Sequence, residues 1–192
     1  LYLEDVRSQL KNMPVFKDMK TVVIAGFPNV GKSSILKALT GAEPDIQPYP
    51  FTTKSVKVGY IDKYVQIVDT PGLLDRSLNK RNKIEFHAVI ALEHLAEMVL
   101  FVFDPSETCG YKMDDQMKLY EELMREFDIP FAVCFNKVDV CGIRSYDKYL
   151  KRVGKDVFVV SALRNEGFKE LYDFFVKDAL PSKKKFYEQK KA

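Results

Sequence analysis

No apolar run in this 192-residue chain approaches the ~20 residues that a membrane-spanning helix needs. The opening residues lack the basic and apolar blocks of a secretory leader. Cysteine is scarce: Cys109, Cys134 and Cys141 have no CxxC spacing and leave one thiol over in any disulfide scheme. That argues against a disulfide framework and for a reducing, cytoplasmic setting, with each cysteine a small buried or loop residue. An excess of one charge is also missing, since the net charge of +3 is too small to imply nucleic-acid binding by itself. Lysines do crowd beyond Pro181, at Lys183, Lys184, Lys185, Lys190 and Lys191. That tail reads as a solvated chain end, with RNA phosphates as the alternative contact. The two histidines, His87 and His94, stand at i, i+7 without a carboxylate pair, and read as packing or surface residues rather than a metal site. No internal repeat is visible.

What is present is the composition of a globular protein, 46% apolar and 30% charged, in a length suited to one α/β domain with short appendages. Leu1 is not an initiator methionine, so the chain is expected to have been cut from a longer one. Leu3, Val6 and Leu10 recur at helical spacing until Pro14, which predicts a short amphipathic helix over 1–13. From Thr21 strand and helix patterns alternate. Strands are predicted at 21–25, 55–61, 64–69, 98–103, 131–135 and 156–160, and helices at 32–40, 83–96, 112–127, 145–152 and 166–179. The stretch 55–61 alternates in polarity and is expected as an antiparallel edge strand beside 64–69. The fold class is α/β: a doubly wound, mostly parallel, six-stranded sheet with one antiparallel edge strand. Residues 1–18 would be a remnant helix and linker, 19–180 the domain, and 181–192 the basic tail.

Ligands of such sheets bind at the carboxyl ends of the strands, and four motifs fall there. Gly26-Phe27-Pro28-Asn29-Val30-Gly31-Lys32-Ser33-Ser34 follows the first strand and opens a helix, the context of a P-loop. Its backbone N–H groups would surround phosphate oxygens, Lys32 would reach the β- and γ-phosphates, and Ser33 would offer its hydroxyl to Mg²⁺. Asp69-Thr70-Pro71-Gly72 ends the strand at 64–69. Asp69 could hold a magnesium-bound water and Gly72 could bring its N–H to a γ-phosphate; without the P-loop, a plain Pro-Gly turn would be the better reading. Asn136-Lys137-Val138-Asp139 follows 131–135. Asp139 matches the N1–H and N2–H₂ donors of guanine, which adenine lacks. Asn136 can address the purine N7 edge and the Lys137 stem can cover the ring. Ser161, Ala162 and Leu163 follow the last strand, where backbone N–H groups could meet guanine O6.

The order of these motifs resembles the GTP-binding domains of translation-factor-like GTPases. Three longer stretches narrow the resemblance: Pro48-Tyr-Pro-Phe-Thr-Thr53, Asp69-Thr-Pro-Gly-Leu-Leu-Asp-Arg76 with Arg81, Asn82 and Glu85, and Phe103-Asp-Pro-Ser-Glu-Thr-Cys-Gly-Tyr111. Together they resemble the nucleolar GTP-binding branch of the Obg-related GTPases over roughly residues 1–180. That resemblance implies GTP and GDP as ligands with Mg²⁺, and a GTP-hydrolysing switch in large-ribosomal-subunit assembly, whose turnover is expected to be slow because of Leu73. It also implies a pre-ribosomal partner of rRNA and ribosomal proteins, no membrane, a monomer, and residence in the archaeal cytoplasm or the eukaryotic nucleolus or nucleus. Two adjacent threonines could meet Mg²⁺ only when γ-phosphate is present; in related GTPases the second usually does so, which selects Thr53. The metal set is then Ser33, Thr53 and Asp69.

Many signalling GTPases place a water-orienting glutamine after Asp-x-x-Gly, where this chain has Leu73. Hydrolysis then rests on Lys32, Thr53 and Gly72 with help from elsewhere. One candidate is K⁺ held by Asn29, at the position where potassium-activated relatives carry a coordinating asparagine; the alternative is that Asn29 only shapes the loop. Another is a group supplied by the pre-ribosome, with Arg76 and Arg81 in the segment after Gly72 as further candidates. The rival readings are a stress- or tRNA-linked Obg-type GTPase and a nucleotide-dependent scaffold that does not hydrolyse.

Overall fold

Alternation with a period of two decides which residues face which side of the sheet. In the computed structural model, strand β1 (Lys20–Ala25) sends Val22 and Ile24 to one core and Val23 and Ala25 to the other. Strand β5 (Met98–Phe103) divides likewise, Met98, Leu100 and Val102 against Val99, Phe101 and Phe103, and all six are buried. A strand with no polar side chain can be covered only by layers on both faces. One face is covered by helix α1 (Lys32–Thr40), through Ile35, Leu36 and Leu39, and by α4 (Phe168–Asp173), through Phe168 and Leu171. A π-helical turn, Phe174–Asp178, continues α4 and buries Phe175. The other face carries α2 (Met113–Glu126) and the short α3 (Asp147–Leu150), with Phe101, Phe103 and Tyr120 in mutual ring contact and Phe135 stacked on Phe103. Each such buried ring contributes about 1.5–3 kcal/mol by burial alone. The structure describes residues 19–48, 55–62, 65–76, 89, 95–142 and 146–178.

The sheet has seven strands in the order β2-β3-β4-β1-β5-β6-β7. Those not yet placed are β2 (Asp45–Pro48), β3 (Ser55–Ile61), β4 (Val65–Asp69), β6 (Phe131–Phe135) and β7 (Val157–Val159). β1 lies between β4 and β5 and is parallel to both, so the chain leaves it at the point where the winding changes direction. The expected antiparallel pairing of 55–61 with the next strand is present, but 55–61 is not the edge. β2 pairs outside it, Ile46 opposite Lys57, and raises the count from six to seven. Four residues, Asp45–Pro48, are too few to show a strand pattern, and proline is tolerated on an edge strand, where a missing N–H need not cost a ladder bond. Helices expected at 32–40 and 112–127 form within a residue of those bounds, while the one expected at 166–179 changes to π pitch at Phe174. The helix expected over 1–13, most of that over 83–96, and the tail lie outside the described residues.

Candidate nucleotide site

At the end of β1 the chain must turn sharply, and two glycines permit it. Gly26 has φ 135° and its Cβ position would lie 2.5 Å from the Val102 carbonyl oxygen. Gly31 has φ 101° and a Cβ there would lie 2.2 Å from Asn136 Nδ2. Neither conformation nor space suits a side chain. Helix α1 then starts with no side-chain cap and no acidic residue in its first turn, so its N-terminal N–H groups are left to an anion. Lys32 lies inside this loop, its Nζ donating to the carbonyls of Gly26 at 2.8 Å and Phe27 at 2.7 Å. Burial pushes its pKa down, a pull partly countered by Asp69 and Asp75.

Asp69, at the end of β4, accepts from Ser33 Oγ at 2.6 Å through Oδ2. Its Oδ1 and Thr70 Oγ1 are buried without a hydrogen-bond partner among the described residues. An orphaned carboxylate oxygen beside a serine hydroxyl is an oxygen-rich, charged donor set, and it fits a hard divalent cation such as Mg²⁺. Gly72 adopts φ 76° and lines the same cleft. Leu73 is fully buried in the core with Leu74. Asn29, exposed and at φ 63°, lines the cleft with Pro28 and Ser34. Thr52 and Thr53 lie outside the described residues.

This cleft, about 480 Å³, shares Gly31, Ser34 and Lys137 with a second one of about 330 Å³ lined by Asn136, Asp139, Val140, Ala162 and Leu163. The P-loop, Asp69 and both base-side motifs therefore border one groove. Within it some expected donors are already engaged. Asn136, expected on the purine N7 edge, is buried and ties three loops together. Its Nδ2 donates to the Val30 carbonyl at 2.9 Å, and its Oδ1 accepts from Ala162 N–H at 3.0 Å. Ser161 N–H pairs with the Glu166 carbonyl at 3.1 Å, and its hydroxyl donates to Asp139 Oδ1 at 2.6 Å. Ser161 thus orients the Asp139 carboxylate, while exposed Leu163 borders the groove.

The family model of nucleolar GTP-binding protein 1 (NOG1) matches residues 83–139. An uncharacterized Methanocaldococcus jannaschii protein is 54% identical over 134 residues, 70% of this chain and 38% of that protein. Nucleolar GTP-binding protein 1 of Drosophila melanogaster is 46% identical over 144 residues, 72% of this chain and 22% of its own length. Among solved structures, nucleolar GTP-binding protein 1 of Plasmodium falciparum superposes with a TM-score of 0.71 at 29% identity, covering 93% of this chain and 92% of that one.

The chain is a homologue of these nucleolar GTP-binding proteins. Its fold is that of the P-loop GTPases, shared with the S. thermophilus NFeoB domain solved with GDP (TM-score 0.67, 26% identity, 82% of this chain and 60% of that one). It spans between about a fifth and two-fifths of the length of the curated relatives it matches.

The NOG1 segment includes the Asp104–Tyr111 run, to which sequence reasoning gave no task. Asp104 is fully buried and is the hub of the loop. Its Oδ1 accepts from Ser106, and its Oδ2 from Cys109 N–H at 2.8 Å, Thr108 Oγ1 at 3.1 Å and Lys137 Nζ at 2.7 Å. Burial pushes the carboxyl's pKa up, but these donors, Lys137 first, more than offset that and hold it below its ordinary value. Gln116 of α2 locks the same loop through the Asp104 backbone at 2.8 and 3.0 Å. The distinctive run therefore fixes the lysine of the base-side motif. Its far end touches the P-loop, where Tyr111 stacks on Phe27 with centroids 4.1 Å apart.

Proposed function

We propose that residues 19–180 bind GTP and GDP with Mg²⁺, hydrolyse GTP slowly, and act as a monomeric switch in assembly of the large ribosomal subunit. Residues 1–18 and 181–192 flank that unit. What supports the reading is the convergence of Lys32, Ser33, Asp69, Asn136 and Asp139 on one groove in a homologue of these proteins. Mg²⁺, held by Ser33 and Asp69 with Thr53, would neutralise charge building between the β- and γ-phosphates. Lys32 would exchange its two carbonyl partners for phosphate oxygens, and Gly72 N–H would meet the γ-phosphate. Asp139 would read guanine, and the Lys137 stem would cover the base. The partner would be the pre-ribosomal particle, in the nucleolus of a eukaryote or the cytoplasm of an archaeon.

The Leu73 side chain offers no hydrogen bond and is buried, so attacking water must be oriented by another group. We assign that role to K⁺ coordinated by Asn29, which has no side-chain hydrogen bond to a described residue and borders the phosphate cleft. GTP hydrolysis should then run several-fold faster in KCl than in NaCl at equal ionic strength, with Asn29→Ala abolishing the difference. Equal rates in both salts sink the assignment. The burial of Leu73 also favours a second reading, a nucleotide-dependent scaffold that does not hydrolyse. Single-turnover assays with purified large-subunit particles separate the two. The switch reading expects GTP-dependent co-sedimentation and faster turnover on particles, whereas the scaffold binds them without cleaving.

A further inference from the structure

Lys57 lies outside the P-loop and outside every motif of the site. It sits on β3, paired across the ladder with Asp69, and is half-buried. Alternation sends its neighbours Val56 and Val58 into the core on one face, which turns Lys57 to the face that carries α1. There its Nζ donates to Ser33 Oγ at 3.2 Å, and Ser33 Oγ donates in turn to Asp69 Oδ2 at 2.6 Å. A relay of ammonium, hydroxyl and carboxylate results.

The serine hydroxyl has one proton and two lone pairs. The proton goes to Asp69 and the ammonium takes one of the two lone pairs, which leaves one for a cation. Mg²⁺ requires a short bond of about 2.0–2.1 Å and near-octahedral geometry, and it leaves little freedom in how Ser33 turns. An ammonium at hydrogen-bond distance from the same oxygen repels a doubly charged ion through a partly dehydrated medium. The two cations therefore compete for Ser33.

We propose that Lys57 is a built-in competitor for the magnesium ion at Ser33, one that weakens Mg²⁺ in the GDP complex and so speeds GDP release without an exchange factor. A magnesium ion held by Ser33 and Asp69 would supply positive charge that retains the nucleotide's phosphates. A fixed positive charge beside Ser33 raises the Mg²⁺ concentration at which that hold is complete. The proposal rests on the reading of Ser33 and Asp69 as the magnesium site. It adds a residue whose charge acts on the metal and does not require contact with the nucleotide.

The test is release of a fluorescent GDP analogue from the full chain, followed while free Mg²⁺ is titrated. Lys57→Gln should lower the Mg²⁺ concentration for half-maximal slowing by about fivefold to tenfold. It should slow release at limiting Mg²⁺ by a similar factor and leave the rate at saturating Mg²⁺ unchanged. Lys57→Arg, which keeps the charge, should stay close to the parent, and thermal unfolding of both variants should match it. An unchanged midpoint in Lys57→Gln overturns the proposal while leaving the site reading intact. Faster release at every Mg²⁺ concentration also overturns it, because Lys57 would then be a phosphate ligand. Release from the parent chain that ignores Mg²⁺ altogether overturns the site reading and the proposal with it.

Discussion

Asp139→Asn should lower affinity for GTP and GDP by about 10²–10⁴-fold and turn the base preference toward xanthine. Guanine offers two adjacent donors, N1–H and the exocyclic N2–H₂, and a carboxylate can accept from both with charge assistance. Each such bond contributes about 1.5–3 kcal/mol. An amide of the same shape keeps one acceptor and places an NH₂ group where the other was. Orientation is not left to chance here, because Ser161 Oγ donates at 2.6 Å to Oδ1 and itself accepts from Arg164 N–H at 3.1 Å. Ser161 should hold the amide oxygen and turn the NH₂ toward the base. An NH₂ there opposes the guanine amino group but suits the 2-oxo group of xanthine. Calorimetric titration with GDP and xanthosine diphosphate reads both changes. Retention of GDP affinity within threefold would show that Asp139 does not read the base.

Ser161→Ala is the companion variant. It keeps the carboxylate and loses its orientation, so it should weaken GDP by a smaller factor, about tenfold, without switching preference. A loss equal to that of Asp139→Asn would mean that the fold of the loop, and not the chemistry of the carboxylate, is being measured.

Much of this architecture is legible in the sequence because its causes are local. The strand, glycine loop and helix at 20–40 follow from an apolar run, two glycines and helical spacing, and the structure forms them at Lys20–Ala25 and Lys32–Thr40. The doubly covered β5 is likewise visible in an unbroken apolar stretch. Strand β2 was not legible, because four residues ending in proline carry no pattern and pair only once β3 is in place. Leu73 could be read as chemically inert, but its burial in the core depends on neighbours remote in sequence. Asn136 shows the same limit: its partner Val30 lies 106 residues away, and nothing in Asn-Lys-x-Asp announces a carbonyl there. Lys57 looks like any outward residue of an alternating strand until α1 brings Ser33 beside it. The Asp104 run was recognisable as distinctive, yet its task depends on Lys137, 33 residues on.

Asp104→Asn should destabilise the domain by about 2–4 kcal/mol and weaken GDP several-fold. The carboxylate is fully buried and its partner Lys137 is 24% exposed, so the loss lies below that of a wholly buried ion pair. The amide would present its NH₂ to donors that now meet an oxygen: the Ser106 pair on one side, or Thr108, Cys109 N–H and Lys137 on the other. Lys137 would lose the anchor that holds its ammonium beside the groove, which links the stability defect to nucleotide affinity. The pH dependence distinguishes this from a general packing defect. Asp104 has its pKa held below the ordinary 3.8, so its contribution is complete above that value and is lost as pH falls through the lower folded value. Denaturant unfolding between about pH 3 and pH 7 should show the parent and Asp104→Asn separated by a constant gap at neutral pH that narrows at the acid end. A gap that stays constant to the acid end would mean that Asp104 acts by shape alone, and the charge link to Lys137 would have to be abandoned.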